Sequence, residues 1–125
     1  MLFAIAVGGA VGSVLRYGLG SFLQQRAGPG FPVGTLVVNV TGSLLLGFLM
    51  RWLLETTAPT ELRAALTIGL CGGFTTFSTF SADTVRLIED GSWTRAGGYV
   101  LASVALSLLA MAAGLALARL AIAHR

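Results

Sequence analysis

The chain is 125 residues long with a net charge of +3, so its length allows a single domain over residues 1–125. Hydrophobic residues make up 55% of it and charged residues only 10%, against roughly 25% charged in an average soluble protein. A water-soluble particle this small exposes much of its surface, and so few charges do not cover it. An ordinary cytosolic enzyme is therefore excluded, and the mean hydropathy of +0.85 turns the outer surface toward lipid.

Taken in order, the chain offers four apolar segments of the length that a membrane-crossing helix needs, about 20 residues. Met1–Leu15 is uncharged, and apolar character resumes after Arg16 through Leu23. No basic side chain precedes Arg16, so this segment reads as a span rather than a signal peptide. Val33–Met50 is uncharged and extends to Leu54 if Arg51 snorkels to the interface. Ala64–Ala82 and Ala96–Ala118 follow, the latter an uncharged run of 23 residues. The predicted spans are about 1–23, 33–54, 62–88 and 96–120. Short connectors separate them: Gln24–Pro32, Glu55–Glu61 around Pro59, and Glu89–Trp93 around Asp90-Gly91. The fold class is an all-α, four-span membrane protein. A closed β-barrel would need ten-residue alternation, which is not present.

The basic residues are all arginine, and without lysine neither a P-loop nor a Schiff base can form. They are scattered rather than gathered into the basic stripe that nucleic acid requires. Cys71 is the one cysteine, which excludes an internal disulfide and a multi-Cys metal site. The one histidine, His124, sits next to the C-terminus, where it is not expected to organise a triad or a zinc site. With four spans, Arg51, Arg63, Arg119 and Arg125 fall on one side, and Arg16, Arg26, Arg86 and Arg95 on the other. This tie gives the positive-inside rule nothing to choose between. The chain is expected to insert both ways and to pair as two opposed copies.

Inside the spans, Gly8/Gly12 and Gly9/Ser13 have the small-xxx-small spacing that lets helices approach closely, which reads as packing. Thr35, Asn39 and Ser43 share one face of the second span, and Tyr99, Ser103 and Ser107 one face of the fourth. A mid-span Asn is costly without a partner. The third span is the densest: at Gly72-Gly73 followed by β-branched Thr75-Thr76 helix propensity collapses, which predicts a helix break in that stretch. A break in a bilayer is tolerated only where protein or a polar cavity satisfies it. It frees carbonyls suited to Na⁺ and a half-helix N-terminus suited to an anion. Thr76, Ser78, Thr79 and Ser81 add hydroxyls there, while Phe77 and Phe80 point to one side. Asp83 reads as the i+3 partner of Arg86.

These residues resemble the Fluc (CrcB) family of fluoride channels. Four stretches carry the likeness: Gly8-Gly9…Gly12…Arg16-Tyr17, Gly34-Thr35-Leu36…Asn39…Gly42, Gly72-Gly73-x-Thr75-Thr76-Phe77-Ser78-Thr79-Phe80, and Tyr99…Ser103…Ser107. Ser13 and Leu44 stand where many relatives have Ala and Phe. The resemblance implies an antiparallel homodimer with two pores, and a structural Na⁺ where the two third-span breaks cross, held by the Gly72 and Thr75 carbonyls. It makes Asn39 a pore donor, Phe77 and Phe80 the pore's aromatic pair, and Tyr99, Ser103 and Ser107 a polar track. Arg16 corresponds to an arginine near a pore entrance, with interfacial snorkelling as its other reading.

The residue chemistry agrees with that assignment. Fluoride is tightly hydrated, so a pore must replace its water with close donors, and an amide, hydroxyls and the positive edges of aromatic rings supply them. The central parts of the second, third and fourth spans hold no charge that would trap the ion. Passive fluoride export across a prokaryotic plasma (inner) membrane, relieving fluoride toxicity, is the leading reading. The alternative is a small dual-topology, proton-coupled multidrug exporter, for which Asp83 is the sole candidate carboxylate. A non-transporting assembly subunit would leave the buried polar lines unused, and an enzyme lacks any nucleophile–base pair or metal site.

Overall fold

The computed structural model describes residues 1–125 and is helical throughout, with no strand. Three helices are long and apolar enough to cross a membrane: α1 (Leu2–Ala27), α2 (Val33–Leu54) and α6 (Trp93–Ala123). Between α2 and α6 the chain runs through α3 (Thr60–Ala64), a π-helical stretch (Ala65–Cys71) and a short α4 (Gly72–Phe74). It then breaks and resumes as α5 (Phe77–Glu89). Glycine sets two of the boundaries: Gly28 ends α1 at φ 83°, and Gly91 follows α5 at φ 76°, conformations that side-chain-bearing residues rarely adopt. Pro32 immediately precedes α2, where its missing N–H costs nothing.

The helix ends show how the chain is threaded. Arg95, near the start of α6, donates to the Gly30 carbonyl (3.3 Å), so the α1–α2 and α5–α6 connectors share one end of the bundle. At the other end the Arg125 guanidinium lies 4.0 Å above the Trp52 ring, joining the C-terminus to the end of α2. There Arg63 donates to the Thr56 and Ala58 carbonyls and ties down the α2–α3 connector. The broken segment therefore runs from one end of the bundle to the other.

Packing relies on glycine rather than on a large apolar core. Gly69 and Gly73 face α1 so closely that an added Cβ would lie 2.7 Å from the Ile5 carbonyl oxygen or 2.6 Å from that of Gly9. Gly8 and Gly12 close the same contact from the α1 side, which is the packing role their spacing predicts. Gly47 and Gly114 do the same between α2 and α6. Only 17 of 125 residues are buried, and Leu2, Phe3, Val14, Leu101 and Leu108 stand exposed, the inverse of a soluble domain. Replacing Gly12 by Val drives a branched side chain onto backbone atoms of Leu70 and Phe74, which cannot give way. We expect it to destabilise the fold by at least the ~1–3 kcal/mol typical of overpacking. Gly18→Ala, with nothing within 4 Å of the new methyl, is expected to melt with the parent in a detergent thermal-shift series.

The break falls within the expected Gly72–Thr76 stretch, at its threonine end, on Thr75 (φ −85°, ψ 156°) and Thr76 (φ −150°, ψ 113°). Gly72 keeps helical angles (φ −65°, ψ −37°). Gly73 is small because it abuts α1, not because the chain bends there. Extended backbone suits two β-branched residues, whose side chains crowd a helix.

Candidate functional site

An extended dipeptide inside a helical span leaves backbone groups without partners. At Thr76 both are satisfied by one side chain, since the Asn39 Nδ2 donates to the Thr76 carbonyl (3.0 Å) and Oδ1 accepts from its N–H (2.7 Å). Asn39 thus substitutes for a neighbouring strand. Thr76 in turn caps α5: its Oγ1 accepts from the Thr79 N–H (3.1 Å) and donates to Thr79 Oγ1 (3.0 Å). With its oxygen so used, the Thr79 hydroxyl keeps its own proton for another acceptor. Thr75 turns back, donating its hydroxyl and N–H to the Cys71 carbonyl, both at 3.0 Å. Gly42 leaves room for the break, since a Cβ there would strike Thr75 and Phe74.

Beyond the break stands an aromatic array. The Phe77 and Phe80 rings are 5.5 Å apart, as their spacing predicts. Phe80 lies 5.2 Å from the Tyr99 ring, and the Phe31 ring meets Tyr99 edge-on at 5.5 Å. Phe77 is 78% exposed, whereas Tyr99 is completely buried. Tyr99 and Ser103 form a buried line on α6 that continues to half-buried Ser107, and the Ser103 hydroxyl has no partner.

Asp83 does not pair with Arg86. Its Oδ2 accepts from the Thr35 hydroxyl (2.8 Å) and the Tyr99 hydroxyl (3.3 Å), and the one ion pair in the chain is Arg51–Glu55 at the far end. The i+3 rule sees only one helix, whereas Thr35 and Tyr99 reach Asp83 from α2 and α6. Asp83 thereby ties three helices together, a role invisible in the local sequence.

A crevice of about 560 Å³ opens from the end where α1 meets α2 and reaches Thr76 and Thr79. Arg16 and Arg86 line it together with Ser21, Gln24, Thr35, Asp83 and Asp90. Of the residues singled out in the sequence, the crevice gathers Arg16, Thr35, Thr76, Thr79 and Asp83. Asn39 joins them through its bonds to Thr76. Phe77, Phe80, Ser78, Tyr99, Ser103 and Ser107 lie outside its lining, Phe80 and Tyr99 in the adjoining aromatic array and Ser78 exposed beside the break. Gly72, one turn before the break, has open space at its Cα. Gln24 is the residue that sequence reasoning missed, and Asp83 the one whose partners it misassigned.

Apolar helices around a broken one, with an arginine- and hydroxyl-lined crevice leading to the break, define a multi-pass membrane protein built about an internal polar path. The chain belongs to the CrcB family: the model of the CrcB-like protein, Camphor Resistance (CrcB) family matches residues 3–115. Among its relatives, a protein of Geobacter sulfurreducens is 54% identical over 119 residues, covering 94% of this chain and 96% of that one. One of Rhizobium meliloti (strain 1021) is 51% identical over 119 residues, covering 94% and 95%. One of Nitrobacter hamburgensis is 48% identical over 123 residues, covering 94% of each. The first two are named fluoride-specific ion channel FluC, and the third fluoride-specific ion channel FluC 1.

Proposed function

We propose that this chain forms a passive, fluoride-selective channel of the plasma membrane, which lets fluoride leave the cell and relieves its toxicity. It is not an enzyme. The observation that carries the reading is the crevice ending at the helix break, where Thr79 keeps a free hydroxyl proton and Asn39 a second amide proton. Arg16 and Arg86 offset the carboxylates of Asp83 and Asp90 in the same crevice, so an anion entering it meets no net negative side-chain charge. Near the break, the ion exchanges water for the donors of Asn39, Ser78 and Thr79, and Thr76, whose own donors are spent on Asn39 and Thr79, holds that set in place. It then passes the ring edges of Phe77 and Phe80 and the hydroxyls of Ser103 and Ser107, while Tyr99, its hydroxyl on Asp83, backs the track. No charged side chain sits at the break to hold the ion, as conduction requires. The direct test is fluoride efflux from liposomes followed with an ion-selective electrode, then repeated with chloride. Fluoride efflux without chloride efflux is expected, and equal rates or none would overturn the reading. The exporter alternative is disfavoured because relatives that are about half identical over almost the whole chain are named fluoride-specific ion channels.

The working unit in this reading is an antiparallel homodimer. Phe77, Ser78 and Thr79 are exposed in a chain whose surroundings are lipid, and hydroxyls facing hydrocarbon are costly unless covered. A second copy covers them and brings a second break alongside the first. The Thr75 carbonyl accepts no hydrogen bond, and the space at Gly72 leaves its backbone approachable. The Gly72 and Thr75 carbonyls of both copies therefore fit a Na⁺, a hard cation that takes oxygen ligands. Na⁺ would supply positive charge that neutralises these carbonyl dipoles and joins the copies.

Replacing Phe77 or Phe80 by Ile keeps apolar bulk and removes the ring edge. If the rings only pack, flux stays at the parental level. If they contact fluoride, losing ~1.4 kcal/mol or more at the barrier lowers flux roughly tenfold or more. We expect the latter, with the dimer still eluting intact on size exclusion.

A further inference from the structure

Gln24 lies outside every motif in the sequence, yet its amide makes three hydrogen bonds, with both donors taken. Nε2 donates to the Gly28 carbonyl (2.7 Å) and the Phe31 carbonyl (2.9 Å), and Oε1 accepts from the Gly34 N–H (3.0 Å). One side chain on α1 therefore holds both halves of the α1–α2 connector and the first turn of α2. The connector has little else to fix it. It contains two glycines and two prolines between residues 28 and 32, and its other cross-chain bond is the longer, exposed one from Arg95 to Gly30. What the connector carries is Phe31, whose ring edge meets the buried Tyr99 at 5.5 Å and 86°. Tyr99 in turn holds Asp83 through its hydroxyl and packs on Phe80 at 5.2 Å.

We infer that Gln24 is a positioning residue for the conduction path: by fixing the Phe31 backbone it seats the Phe31 ring, and that ring holds Tyr99 against Asp83 and Phe80. The effect runs through Phe31 and not through contact between Gln24 and the ion. The functional half of this inference rests on the fluoride reading above, and the geometric half does not. An amide suits the task better than a charged group of the same reach, because only an amide donates twice and accepts once.

The test uses the two tyrosines of the chain, Tyr17 and Tyr99, labelled as 3-fluorotyrosine in the full-length dimer and observed by ¹⁹F NMR. Tyr17 is 77% exposed and serves as the internal control. Gln24→Met keeps length and removes all three bonds. It is expected to shift the Tyr99 resonance, leave that of Tyr17 in place and lower fluoride efflux several-fold. Phe31→Leu leaves the backbone bonds of Gln24 intact and carries the test even if Gln24→Met does not fold. It is expected to move the same resonance and lower the same flux. The double variant is expected to be no worse than Phe31→Leu alone, because both changes cut one chain of contacts. An unmoved Tyr99 resonance in folded Phe31→Leu, or losses that multiply in the double variant, would overturn the inference. If the resonance moves as expected but parental liposomes release no fluoride, the fluoride reading fails and the positioning geometry stands.

Discussion

Asn39→Asp is expected to abolish fluoride efflux while the protein still assembles. The carboxylate keeps an acceptor for the Thr76 N–H, so half of the bond pair at the break survives. It loses the donor to the Thr76 carbonyl and places a negative charge beside the proposed path. Two unit charges about 4 Å apart at an effective dielectric of about 20 repel by about 4 kcal/mol. Added to a conduction barrier, that is roughly a thousandfold in rate. The fold loses far less, because the neighbouring glycine contacts between α1 and the broken segment remain in place. Efflux from liposomes, normalised to dimer recovered after size exclusion, separates the two effects. Parental flux from the Asn39→Asp dimer would remove Asn39 from the pore. Loss of the dimer itself would reduce its role to holding the break.

The reason for this prediction changes between sequence and structure, and the change shows what a sequence can reveal. The three continuous spans are legible because run length and the absence of charge are local properties. That the third segment breaks is legible too, because glycines beside β-branched residues lower helix propensity over a few positions. Where it breaks is not. Gly69 and Gly73 are small to let α1 approach, and the sequence does not distinguish a glycine that bends from one that packs. The extended angles at Thr76 are held by Asn39, 37 residues earlier. Asp83 illustrates the same limit, because its partner Thr35 is 48 residues away and the arginine one turn on is a decoy. The seven-residue π-helical stretch Ala65–Cys71 has no sequence signal. Gln24 looks like an ordinary polar residue at a span end, and its importance depends entirely on where the connector returns.

Orientation in the membrane gives the other large expected effect, and it rests on charge arithmetic alone. The threading puts the Glu55–Pro59 connector with the C-terminus at one end of the bundle, and the Asp90–Ser92 connector with Gly30 at the other. The eight arginines divide four to each side of such a chain, so a small added bias decides which side stays in the cytoplasm. Three lysines inserted between Glu55 and Glu61 are expected to hold that end inside. Three inserted between Glu89 and Trp93 are expected to hold the opposite end inside. If the active unit is antiparallel, each variant expressed alone lacks its inverted partner, and cells carrying it lose resistance to fluoride. Expressed together, the two variants supply both orientations, and resistance returns. A parallel dimer or a monomer gives a different pattern, in which one variant protects alone and mixing adds nothing. Growth in fluoride with each variant singly and with both together distinguishes these outcomes, and the second pattern would reject the opposed pairing while leaving the fluoride reading intact.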